Sequence, residues 1–348
     1  MRGITIVLTF FLIIALAVPA NASILEAPEP PDSADPWMPS QTESFGKGLL
    51  EVIQKGITKI YPDLKEAAGI AVTVIACALL VSMLTSASDQ IKTTANLAAV
   101  AAVSAALFLS TNAMIRLGAD TVRQISEYGK LLLPVMAAAM AAHGGVSSAT
   151  ALYTGTAVFD AVVCTALSKI LTPMIYGFLA LSAADSVTGH HTLKKMKELL
   201  KNGITWFLKT CITVFISYMG ISGVISGTTD AAALKAAKAA ISTAVPVVGG
   251  ILSGASEAVL VGAQLAKNAA GIYGIFALLA IFLEPFLKTG IHYLILKLAA
   301  AVCGILDAKS VSDLVGDYSS AMGFILGMSG SVCLLQLVST VCFMKGMG

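Results

Sequence analysis

Charge is scarce in this 348-residue chain: Asp, Glu, Lys and Arg make up only 12% of it, against 57% hydrophobic residues. With a mean hydropathy of +0.85, the chain has too few polar residues to cover a water-soluble globule of its size, and it falls among multi-span membrane proteins. The formal charge of +2 gives no electrostatic footprint for nucleic acid. Six cysteines (Cys77, Cys164, Cys211, Cys303, Cys333, Cys342) all lie in apolar segments, without a C-x-x-C pair and without histidines at ligand spacing. They read as small hydrophobes, and no metal or disulfide role is expected of them. Also missing are H-E-x-x-H, G-x-x-x-x-G-K-[ST] and a pair of intramembrane aspartates, so metalloprotease, ATPase and aspartyl-protease readings lack their residues. The expectation is a non-enzyme with no cofactor and no metal.

One catalytic pattern does occur. G-x-S-G appears at Gly220–Gly223 and again at Gly327–Gly330, resembling the nucleophile motif of rhomboid intramembrane proteases. Ser329 has no histidine after it to act as base, and Ser222 could be served only by His292, in a lysine-flanked segment. In an apolar chain with 30 glycines the pattern arises readily from composition.

The N-terminus has a basic start (Arg2), an apolar run from Ile4 to Val18 and small residues at Ala20 and Ala22. That layout predicts a signal peptide over 1–22, cleaved after Ala22, with the mature N-terminus outside the cytosol. Residues 23–44 hold five prolines, five acidic residues and no lysine or arginine, which predicts a disordered exported tail. Over 45–62, Phe45, Leu49, Ile53, Ile57 and Ile60 recur at helical spacing among Lys47, Glu51, Lys55 and Lys59. This predicts an amphipathic surface helix stopped by Pro62 and lying on the membrane, on a partner or on the bundle.

Residues 63–348 form the membrane domain, expected to be an all-α bundle of about eight spans. Uncharged stretches Ala67–Ser88 and Thr93–Ile115 each suffice to cross a ~30 Å hydrocarbon core. Arg116 to Lys130 reads as a mixed-charge helical connector, followed by spans near 131–149, 151–168 and 170–185. Thr188 to Gly203, with His190, His191, Lys194, Lys195, Lys197 and Lys201 against Glu198, is the most basic loop and should stay in the cytosol. Five spans after an exported N-terminus bring it there. Ile204–Gly227 is the next span, Thr229–Ala240 a small external helix, Asp307 to Tyr318 a polar connector and Ser319–Met344 the last span.

Between Ala240 and Val302, which should hold two or three spans, apolar runs are broken by Pro246, Gly249-Gly250, Glu257, Lys267, Glu284-Pro285, Lys288, His292 and Lys297. Ionisable groups at membrane depth cost roughly 2.5–3.5 kcal/mol each and mark functional interiors, as do broken helices. Asp160 joins Glu257, Lys267, Glu284 and Lys288 on that ground. Glu284 and Lys288, four apart, either neutralise one another on one helix face or line a hydrophilic passage. Pro134 and Pro173 are 39 residues apart, as are Pro246 and Pro285, with an offset of 112; this leaves open an internal repeat (about 131–227 and 243–344) or coincidence. The G-x-x-x-G pairs Gly223/Gly227, Gly250/Gly254 and Gly323/Gly327 suit close helix packing within or between subunits.

The run AISTAVPVVGGILSGASEAVLVGAQLAKNAAGIYG, continued through Pro285 and Lys288–Val302, resembles the stage III sporulation protein AE family. The signal peptide, exported start and many spans agree with it. The resemblance implies an endospore former, with the protein in the mother-cell membrane facing the forespore as the polytopic core of a channel or feeding complex. It also implies partners: a cytosolic ATPase, other membrane and ring-forming proteins of the complex, and a forespore-side protein, besides the lipid bilayer. No catalytic residues carry over. Pro246, Gly249, Gly250, Glu257, Lys267, Asn268, Glu284 and Pro285 match the recurrent block and are the candidates for the conduit or its assembly surface. A self-contained secondary transporter remains the alternative.

Overall fold

A computed structural model describes residues 27–40, 45–87, 92–143, 146–221 and 269–347. The described residues are helical, with no strand: α1 Phe45–Ala87, α2 Lys92–Ala142, α3 Val146–Ala166, a π-turn Leu167–Leu171, α4 Thr172–Thr188, α5 His191–Ile221, α6 Ala269–Ile305 and α7 Lys309–Gly346. Six of the helical runs among them are long and apolar enough to cross a membrane, α3, the π-turn and α4 counting as one.

These helices are longer and fewer than the sequence suggests. α1 runs straight past Pro62 for 43 residues, so 45–62 is its first part and not a separate element. A proline costs its helix one hydrogen bond, but here the preceding turns are pinned from outside: Val52 is buried and Gly56 lies against Leu283 and Leu287 of α6. α2, at 51 residues with Pro134 inside, absorbs the expected connector 116–130 and most of the expected span 131–149. That connector holds no proline, and Arg123 and Glu127, four apart, pair along the surface of the continuous helix. The expected spans 151–168 and 170–185 are likewise one run. Pro173 would collide with the Lys169 carbonyl in a regular helix; the π-turn just before it absorbs the misfit without breaking the run.

The basic loop is also helical. Gly189, at φ 63°, caps α4 by donating its N–H to the Asp185 carbonyl at 2.8 Å; the left-handed position suits glycine. α5 then starts at His191. Asp307, at φ 58°, turns the chain from α6 into α7. The acidic segment is not free over 27–40: it folds a 3-10 turn at Asp35–Trp37 that packs on α1 and α6. Ala34 and Trp37 are buried, Lys59 sits 4.5 Å from the Trp37 ring centre, and Tyr128 of α2 donates to the Pro28 carbonyl. Trp37 and Ala34 thus supply the apolar contact that composition did not promise.

α7 is the axis of the bundle. It touches α2, α3, α4, α5 and α6, and residues 324–337 are buried without interruption. A helix apolar all round belongs in such a place. The edge-on pair Phe178–Phe324, with centroids 5.4 Å apart, locks α4 to it.

The start of α2 and the α4–α5 and α6–α7 turns meet at one end, where Thr93, Asn96, Asp185, Gly189, Gly304 and Lys309 share a cavity. From that end α1 is free of charge back to Ala67, and α2 is free of charge from Thr93 to Ile115. Large apolar side chains are exposed there: Val72, Leu80 and Met83 on α1, Leu97 and Leu109 on α2, Leu294 and Leu298 on α6. The belt is about 30 Å deep at 1.5 Å per residue, the thickness of a hydrocarbon core.

Candidate functional site

Of the eight conduit candidates, Pro246, Gly249, Gly250, Glu257, Lys267 and Asn268 lie outside the described residues, as do the signal peptide, the helix expected at Thr229–Ala240 and Ser222. Glu284 and Pro285 sit within α6. Glu284 accepts a hydrogen bond from Lys288 at 2.6 Å, the two side chains about one-third exposed. Asp63 of α1 lies within electrostatic reach of both and of His292. One turn on, His292 is buried, its Nδ1 against the Lys288 carbonyl at 2.9 Å. Its Nε2 and the Thr289 hydroxyl are buried with no partner among the described residues. Pro134 and Pro285 both fall inside long helices, whereas Pro173 follows the π-turn.

Asp160 stands at the centre of a second group. Its carboxylate, 4% exposed, accepts hydrogen bonds from Ser126 of α2 at 2.9 Å, Gln336 of α7 at 2.8 Å and the Cys164 thiol at 3.4 Å. Three helices are tied through one carboxyl group by neutral donors. Gly129 makes this possible: a Cβ there would overlap the Gln336 carboxamide. Gln336 Oε1 is left buried without a partner among the described residues. Sequence reading singled out Asp160 but missed Gln336, the one amide in the uncharged Ser319–Met344 stretch; that isolation was the available signal.

A third group closes the basic end. Lys197 of α5 bridges Asp185 of α4 and Asp317 of α7, each at 2.7 Å, all three side chains nearly buried. Lys197 was read only as one of several loop charges, because its partners lie 12 and 120 residues away.

As for catalysis, Ser329 is buried in α7 and donates to the Ile325 carbonyl at 3.0 Å, which occupies its hydroxyl proton. Among the described residues no three His, Cys, Asp or Glu side chains converge as metal ligands would. All six cysteines are free.

Comparison with known proteins bears on what these groups serve. No solved structure matches the chain. Stage III sporulation protein AE of Bacillus subtilis (strain 168) is 24% identical over 230 residues, 66% of this chain. The match spans 58% of that protein's length. The family model for stage III sporulation protein AE matches residues 38–346, from the docked tail to the end of α7. By that match the chain belongs to the stage III sporulation protein AE family.

Proposed function

We propose that this chain is a multi-pass membrane component, without catalytic activity, of the mother-cell-to-forespore channel or feeding complex used in endospore development. One observation carries the reading: the match to a sporulation family runs the length of a bundle whose six long apolar helices are suited to a membrane. In this proposal the basic end faces the cytosol of the mother cell and the docked tail faces the forespore. Three candidate spans precede the α4–α5 turn, an odd number, so an exported N-terminus and a cytosolic basic end agree. A partner ATPase supplies energy, and ring-forming and forespore-side proteins complete the path. Glu257 and Glu284 line or assemble the conduit. With Glu257→Ala or Glu284→Ala, sporulating cells should halt before spore maturation at normal protein levels; normal spores from both variants would remove these residues. Co-purification from sporulating cells tests the partners.

The buried Asp160 carboxylate favours a second reading, a self-contained secondary transporter, since intramembrane carboxylates serve ion and proton pathways. Substrate flux in liposomes holding this protein alone would support it against an obligate complex member.

A further inference from the structure

We propose that the cavity at the basic end is a binding site for the headgroup of an anionic phospholipid, whose acyl chain lies along the outer face of α6. The inference rests on the membrane placement proposed above. The cavity holds about 970 Å³ between the start of α2, the α4–α5 turn, the end of α6 and the start of α7. Asp185, Lys197 and Asp317 on its wall satisfy one another. Its other charged groups are Lys194, Lys201, Lys297 and Lys309 against Glu198 and Asp313. None of those four lysines makes an ion pair among the described residues, although Glu198 is within four positions of two of them on α5.

Lys297 is the informative one. It stands on α6 between Leu294 and Leu298, which are 60% and 67% exposed, so it rises at the border of the apolar belt, with the Tyr293 ring centroid 5.7 Å from its ammonium. A lysine in that setting needs an anion or water. Leu294, Leu298, Ala301 and Ile305 recur at helical spacing and form one exposed apolar stripe. Lys297, Ala300, Ala301 and Gly304 form the neighbouring stripe, and all four line the cavity. The stripes share Ala301. Small residues at 300, 301 and 304 leave the rim open where charge meets hydrocarbon, the place a phosphate joined to acyl chains would occupy. Basic pockets between transmembrane helices on the cytoplasmic side bind such headgroups.

The test uses the full-length protein in phosphatidylcholine nanodiscs carrying trace spin-labelled phosphatidylglycerol or spin-labelled phosphatidylcholine, with the motion-restricted fraction read by electron paramagnetic resonance. The expected result is at least threefold more restricted phosphatidylglycerol, falling to the phosphatidylcholine level in the Lys297→Gln/Lys309→Gln variant. Lys169→Gln, on the distant π-turn, should leave the selectivity unchanged. Should the double variant not fold, the wild type decides: its selectivity should collapse in high salt. Equal restriction of the two lipids, insensitivity to salt, or displacement by soluble glycerol phosphate at matched concentration would overturn the proposal, the last by making the site one for a free anion. Labelling at Leu298→Cys separates the two readings. A water-exposed thiol would sink the membrane placement, whereas a lipid-shielded thiol with equal restriction would sink this inference alone.

Discussion

Asp160 shows how much rests on single side chains here. A buried carboxyl group held by three neutral donors is stable only while all its donors remain. Asp160→Ala would orphan the Gln336 amide in a dry interior, at about 1–3 kcal/mol for each donor left unpaired; Ser126 can turn to a backbone carbonyl, Gln336 has fewer options. Thermal unfolding in detergent should show a lower midpoint for Asp160→Ala than for Ser126→Ala. Gly129→Ala acts from the other side by filling the space of the Gln336 carboxamide, and overpacking of this kind costs about 1–3 kcal/mol. If Gln336 is the group displaced, adding Gln336→Ala to Gly129→Ala should be less harmful than the separate effects sum to, which a double-mutant cycle measures. The sequence exposed Asp160 as a charge in an apolar run, but its two donors from other helices are 34 and 176 residues away, a distance no local pattern encodes.

Helix identity followed directly from apolar runs and helix-forming connectors; helix ends did not. Pro62, Pro134 and Pro285 all read locally as interruptions, and all lie inside continuous helices. The cost of a proline is local, whereas the packing that outweighs it comes from other helices: α6 holds α1 on both sides of Pro62, through Gly56 and through the belt. Spin labels at the exposed positions Ile53 and Val72 test this. A continuous α1 places them about 28 Å apart along the axis at 1.5 Å per residue, with a narrow distance distribution. A broad distribution centred well below that would mean that the helix breaks at Pro62. The docked tail is the converse case, where low apolar content hid one tryptophan placed to be buried.

Lys197 joins α4, α5 and α7 at the end where three connections converge. Removing it would leave Asp185 and Asp317 facing each other, nearly buried and of like charge. Breaking a pair this way costs about 3 kcal/mol. Lys197→Ala should therefore lower the midpoint of thermal unfolding, and Lys197→Met combined with Asp185→Asn and Asp317→Asn should recover most of the loss. If the single variant unfolds like wild type, the triad is not what closes the basic end. The same end carries the proposed lipid site, so the triple variant should also keep phosphatidylglycerol selectivity, because Lys297 and Lys309 are untouched.

Composition and the spacing of apolar runs were enough to establish an all-helical membrane-type chain, its charge-free belts and its basic end, because those properties are sums over neighbouring residues. The recurrent block around Pro246–Pro285 was enough for the family. Which helices continue, which one forms the axis, and which polar groups meet inside were settled by packing between segments far apart in the chain. Burial of Asp160, Lys197 and Trp37 depends on partners brought in from other helices, and those pairings exist only once the bundle has closed.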